Sequence, residues 1–208
     1  MISIHDRLER ARAAFDRLPA LEPELMAAAN LMVACLRNGG KILACGNGGS
    51  AAEAQHFTTE LTGRFRTNRR SLPAVALTAD GTALTCIAND FGWDAVFARQ
   101  VEGFAQPGDV LFCLSTSGAS PNILAALDAA NALGLDSIAL LGRDGGAARE
   151  RATHVLLSPG DDTASIQETQ LWCVHALCEV IESAFPMAEE RRPAPSLSVL
   201  PSRAIPAA

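Results

Sequence analysis

The chain has 208 residues, 49% of them hydrophobic, and a formal net charge of −6 at pH 7. That is enough apolar material for one domain with a sizeable core, and it argues against a disordered chain. A negative balance argues against nucleic acid as the main partner. The cysteines (Cys35, Cys45, Cys86, Cys113, Cys173 and Cys178) fall mostly inside apolar runs, with neither zinc-finger nor disulfide-framework spacing. Buried free thiols in a reducing compartment are expected. Met1 opens a charged segment rather than a signal peptide, and no apolar run reaches spanning length. A soluble, cytoplasmic protein is therefore expected.

Residues 3–18 alternate charge with Ile4, Leu8, Ala11, Phe15 and Leu18 at helical spacing. A second helix is expected from about 23 to 38, stopped by Gly39-Gly40. Both precede the first strand, so 1–38 forms a helical extension outside the repeating βα pattern. It either packs against a partner subunit or covers one face of the sheet. Lys41–Cys45 reads as the first strand, and Pro73–Thr78 as the second. The loop 63–70 between them is basic. It suits phosphate or carboxylate capture, although for Arg69 and Arg70 a solvated surface loop is the better expectation. Residues 81–104 read as helical with a break at Asn89-Asp90-Phe91-Gly92. Strands are expected at 109–114, 137–141 and 154–157, with a helix from 121 to 133 and a long final helix over about 165–184. Strands that are unbroken apolar runs, alternating with helices, imply an α/β fold with a five-stranded parallel sheet flanked by helices on both faces. From Pro186 to the end, five prolines in 23 residues mark a Pro-rich tail rather than a domain.

Two loops carry the chemistry. Gly46-Asn47-Gly48-Gly49-Ser50 leads from the first strand into an Ala-rich helix. Its glycines allow a sharp turn and close approach of a ligand, Ser50 suits the cap, and amides at a helix start form an anion site. Ser115-Thr116-Ser117-Gly118-Ala119-Ser120-Pro121 ends the third strand, with Ser120 at the N-cap position and Pro121 at the first helical position. Hydroxyls at the C-terminal end of a parallel strand occupy the usual ligand position of open α/β sheets. Capping accounts for Ser120 and Pro121 but not for Ser115, Thr116 and Ser117, so a phosphate site is the favoured reading.

One helical turn separates His56 from Glu60, which places a base and a proton carrier, or two metal ligands, side by side. His175 lies eight residues after Gln167, about 12 Å along a helix axis. If both serve one site, the helix start bends toward it or one residue serves a neighbouring subunit. Taken singly, His175 reads as a core histidine, and His56 reads equally as structural or functional.

Together, Gly46–Ser50, His56-Phe57, Glu60–Arg64, Asn89–Gly92, Ser115–Gly118, Ile166-Gln167-Glu168 and His175 resemble the phosphoheptose isomerase family of the sugar isomerase (SIS) fold. The resemblance spans about residues 5–185, read as a single SIS domain over 1–185. It implies conversion of sedoheptulose 7-phosphate to D-glycero-D-manno-heptose 7-phosphate, with Glu60 and His175 as the acid/base pair. It also implies phosphosugar contacts from Asn47, Gly48, Gly49, Ser50, Glu60, Asn89, Asp90, Ser115, Thr116, Ser117, Ser120 and Gln167. One zinc per subunit, held by His56, Glu60, Gln167 and His175, and a homotetramer with sites between subunits follow from the same resemblance. One departure is that Asp161–Ser165 stands where family members usually carry an acidic residue followed by Arg. This bears on recognition of the sugar end. Gln55-His56-Phe57 and Ser71–Ala74, with Ala88-Asn89-Asp90, also resemble a non-catalytic paralogue that binds the bacterial replication initiator. That paralogue lacks the glutamate and the second histidine. A third reading, a dinucleotide oxidoreductase, rests on G-x-G-x-x-A at 46–51. It lacks the acidic residue expected at the end of the second strand.

Overall fold

The structure is a computed structural model and describes residues 3–186. All of the Pro-rich tail beyond Pro186 lies outside the described residues. Five strands, β1 (Ile42–Gly46), β2 (Ala74–Ala76), β3 (Val110–Ser115), β4 (Asp136–Leu141) and β5 (His154–Leu157), form one parallel sheet in the order β2-β1-β3-β4-β5. The helices are α1 (Ile4–Phe15), α2 (Glu22–Arg37), α3 (Gly49–Thr62), α4 (Gly81–Phe91), α5 (Ala98–Phe104), α6 (Pro121–Ala132) and α7 (Thr163–Ser183).

Period-2 alternation divides the core cleanly. Ile42, Ala44, Phe112, Leu114, Ile138, Leu140 and Leu156 face α2, α3 and α7. Leu43, Cys45, Leu111, Cys113, Ala139 and Leu141 face the opposite layer, built from α5, α6 and the segment before α5. Both layers exclude water over β1, β3 and most of β4, so these strands read as continuous hydrophobic runs rather than half-polar ones, while the edge strands β2 and β5 are only partly buried. Phe57 of α3 meets Phe112 of β3 edge-on, with ring centroids 4.9 Å apart. Truncating either ring to Ala would cost about 3–5 kcal/mol.

The helical extension covers the sheet through α2, whose Leu25, Ala28, Ala29, Met32 and Leu36 sit in the first core layer. Helix α1 lies on α7, where Arg7 pairs with Glu168 and donates to Ser165 Oγ, and Arg10 pairs with Asp162. Asp162 itself caps α7 by accepting from the Ser165 amide. Asp161 pairs with Arg17. The acidic segment before Ile166 is thus a docking point for α1 and the turn that follows it.

Two local expectations need correction and a third is sharpened. Ser50 is not the cap of α3: Gly48 holds that position with φ +55°, and Ser50 is buried in the first turn. The left-handed backbone there favours glycine, which moves the helix start two residues earlier. The break expected at Asn89–Gly92 falls at the last of these residues: α4 runs through Asn89, Asp90 and Phe91 and stops at Gly92, φ +85°. Arg69 is not solvated, because its side chain is 0% exposed. Of the six cysteines, all free, only Cys86 is exposed.

Candidate active site

Strand order changes direction between β1 and β3. The chain moves from β1 outward to β2, whereas β3 leads the other way to β4 and β5. Register pairs Gly46 with Leu114, so the loops after β1 and β3 leave the sheet side by side. This is the crevice where open α/β sheets bind ligands. Asn47 and Asn122, the latter in the first turn of α6, join the two loops through a reciprocal pair of amide hydrogen bonds, each 2.8 Å.

The second loop is braced by its own hydroxyls. Ser115 Oγ accepts from the Gly118 amide at 3.0 Å, and Ser117 Oγ accepts from the Ala119 amide at 3.3 Å. Ser115 and Ser117 therefore already shape the loop. Ser120 is the N-cap of α6, with no side-chain hydrogen bond to the helix, which leaves its hydroxyl uncommitted by the cap. Thr116 is half-buried between the two serines. Gly118 has φ +61°, and a Cβ there would lie 1.9 Å from the Gly145 carbonyl oxygen, so only glycine fits.

The first loop meets α7. A Cβ on Gly49 would fall 2.2 Å from Gln167 Nε2, so the Gln167 amide lies directly on the Gly49 backbone. Gln167 thereby borders the loop after β1. His175, two turns further along α7, faces α3. Its Nε2 is 3.0 Å from His56 Nε2, and His56 Nε2 is 3.3 Å from Glu60 Oε1. His56 is the hub of this triad, and it joins residues 115 positions apart in sequence. The exposed rim of α3 keeps Glu60 open to a ligand, its side chain being 22% exposed. The eight-residue gap from Gln167 to His175 is met by two neighbouring stations, one on the loop and one on the triad.

Among the described residues no three His, Cys, Asp or Glu side chains already enclose one point as a metal cage. The donor set nevertheless suits zinc, with two imidazole nitrogens and a carboxylate converging. Two ligands at 2.0–2.1 Å on a tetrahedral ion stand about 3.3 Å apart, close to the 3.0 Å between the two imidazoles.

Asn89 and Asp90 stand elsewhere. They are exposed on α4, where Asn89 donates to Asp90 at 2.7 Å. No residue of α4 is buried, and Phe91 and the following Trp93 are 56% and 55% exposed.

Sequence reading missed several residues that shape the site. Asn122, 1% exposed, reads only as a helix-start residue. Glu53 lies on the buried stripe of α3 with Ser50, Phe57 and Leu61, and helical spacing alone could have flagged it. Its Oε2 is buried with no partner, and burial pushes its carboxyl up to about 7. Glu182, near the end of α7, accepts from the amides of Phe65, Arg66 and Thr67 at 3.1, 2.9 and 3.0 Å. Burial alone would push this carboxyl up, but the three amides and Arg69 outweigh it and hold it below the ordinary carboxylate value.

With this geometry in place, comparison with known proteins is decisive about family. Residues 8–142 match the SIS domain family model. A phosphoheptose isomerase from Aliarcobacter butzleri is 49% identical over 80% of this chain and 88% of its own length. One from Thiobacillus denitrificans is 47% identical over 90% of this chain and 99% of its own. The solved structure of a phosphoheptose isomerase from Francisella tularensis superposes with a TM-score of 0.84 at 41% identity, covering 86% of this chain and 96% of that one. All three bear the isomerase name, which favours an enzyme over the initiator-associating regulator. By sequence and by structure, the chain belongs to the phosphoheptose isomerase family of SIS domain proteins.

Proposed function

We propose that the protein interconverts sedoheptulose 7-phosphate and D-glycero-D-manno-heptose 7-phosphate, with Glu60 and His175 as its acid/base pair. The observation that carries this reading is the triad in which His56 Nε2 lies 3.0 Å from His175 and 3.3 Å from Glu60, beside two joined anion loops. Ketose–aldose exchange moves a proton between C1 and C2 through an enediolate. It needs a carboxylate near carbon and a proton donor near oxygen. Glu60 would take and return the carbon-bound proton, and His175 would serve the oxygens. The amides at Asn47–Ser50 and the hydroxyls of Ser115, Thr116, Ser117 and Ser120 would hold the phosphate, fixing the reacting carbons against Glu60. Gln167, against Gly49, would bind the sugar between these two stations.

His56, Glu60, Gln167 and His175 would hold one zinc per subunit. When bound, zinc would supply positive charge to the developing enediolate. The converging nitrogens and carboxylate support this reading for His56, Glu60 and His175, while Gln167 stands at the loop station against Gly49.

A homotetramer with sites between subunits is part of the proposal. It is supported by Asn89 and Asp90, which would reach a phosphosugar from α4, a helix with no buried residue and an exposed Phe91 at its end. The setting would be cytoplasmic; among the described residues no helix is long and apolar enough to cross a membrane.

The test is turnover of sedoheptulose 7-phosphate followed by proton NMR. Glu60→Gln and His175→Ala should each lose at least 100-fold in kcat. Absence of turnover by the wild type, with and without added zinc, overturns the proposal.

A further inference from the structure

The loop that joins α3 to β2 is anchored in an unusual way. A solvated loop would leave its amides to water. Here three consecutive amides, those of Phe65, Arg66 and Thr67, converge on the Glu182 carboxylate, a side chain only 6% exposed. The Arg69 guanidinium, with no exposed side-chain surface, lies 3.3 Å from the same carboxylate. Its Nη2 donates to the Glu60 carbonyl at 2.5 Å, and its Nη1 donates to the Leu61 carbonyl at 2.8 Å. Those are carbonyls of the last turn of α3, which lack helical partners. A buried ion pair is a poor source of net stability, so its value here lies in what it fixes.

It fixes two things. Arg69 ties the main chain of Glu60 to α7 through Glu182. Glu182 also sits seven residues, two helical turns, beyond His175, on the same side of α7. From that anchor the loop runs back and lays the Phe65 ring on His175, with centroids 5.7 Å apart and planes 30° apart. The His175 ring also meets His56, at 5.1 Å and 59°. The imidazole is therefore in contact with both Phe65 and His56. We infer that Arg69 and Glu182 form a positioning pair which sets the Glu60 backbone and, through Phe65, the His175 ring relative to each other. Neither residue touches the reacting atoms. Both ends of the acid/base pair are referred to one buried charge pair, which sets their relative placement.

The inference rests on the isomerase reading for its kinetic consequence but not for its structural one. The experiment uses full-length protein with 15N,13C-labelled histidine, in which the ring resonances of His5, His56, His154 and His175 are separately assigned by single-His variants. Phe65→Leu and Glu182→Gln should each move the His175 ring resonances and leave those of His5 and His154 in place. Phe65→Tyr, which keeps the ring, should return them toward the wild-type positions. In parallel, kcat should fall about 10- to 100-fold in Phe65→Leu and Glu182→Gln, with KM within about twofold. Phe65 is only half-buried, so its variant keeps the test alive should Glu182→Gln fail to fold. Movement of His175 in both variants supports the positioning pair even if wild type lacks turnover, in which case only the isomerase reading falls. Wild-type turnover with unmoved His175 resonances and unchanged kcat in Phe65→Leu overturns the inference.

Discussion

Asn47 and Asn122 face each other across the mouth of the crevice and satisfy each other's amides through two hydrogen bonds of 2.8 Å. Each gives one N–H and takes one C=O contact, so the pair fixes the distance between the β1 and β3 loops without carrying charge. A neutral clamp suits the proposed anion site, since an aspartate at either position would repel a bound phosphate.

Asn122→Ala leaves the half-buried Asn47 amide unpartnered, at a cost of about 1–3 kcal/mol of stability. The two loops lose their common reference, so KM for the sugar phosphate should rise about tenfold with a smaller change in kcat. Asn122→Asp should raise KM further, because it adds a negative charge beside the phosphate loops and can no longer donate to Asn47. Steady-state kinetics on the three proteins checks this. Equal KM in all three would separate the clamp from substrate binding.

How much of this was legible in the sequence depends on range. The strands were, because Ile42–Gly46 and Val110–Ser115 are buried on both faces and so appear as unbroken apolar runs. The loop after β3 was legible too, because Ser120 and Pro121 announce a helix start. Cap details were harder. Ser50 has the chemistry of a cap, but the positive φ of Gly48 moves the start of α3, and several glycines in a row leave that choice open. The break within Asn89–Gly92 was legible as a stretch but not to the residue, because the positive φ that ends α4 falls on Gly92 while Asn89 and Asp90 stay in its last turn. Arg69 was read as solvated because nothing near it in sequence suggests burial. Its carboxylate partner, Glu182, lies in the last turn of α7, on the far side of four strands in chain order. The same holds for His175, which alone reads as a core residue and gains its meaning only against His56.

The donor set around His56 leads to a metal prediction. Protein purified without chelator should carry about one zinc per chain, and exhaustive chelation should lower turnover about 100-fold, restored by added zinc. His56→Ala should lose the metal while leaving Phe57 and the rest of the α3 stripe in the core. Elemental analysis alongside kinetics decides the matter. Metal-free protein with full turnover, unchanged by added zinc, would remove zinc from the reaction and leave His56 as a hydrogen-bonding hub.

Glu53 gives a pH prediction whose sign follows from its burial. Its carboxyl is pushed from 4.5 up to about 7, by desolvation alone. Between these values the unfolded chain has released the proton while the folded protein still holds it. The folded state binds more protons there, so stability falls as pH rises through this window, and the loss is complete above about 7. The span corresponds to roughly 3 kcal/mol. Cys173, near Glu53, does not titrate in the window, because burial pushes its thiol up to about 12. Glu53→Gln keeps the volume and abolishes the titration. Relative to wild type, this variant should gain up to about 3 kcal/mol between pH 5 and pH 8, read from urea unfolding at both values. Other groups titrate equally in the two proteins and cancel in the difference. An identical stability difference at the two pH values would mean that Glu53 is ionised in the fold, with its Oε2 solvated.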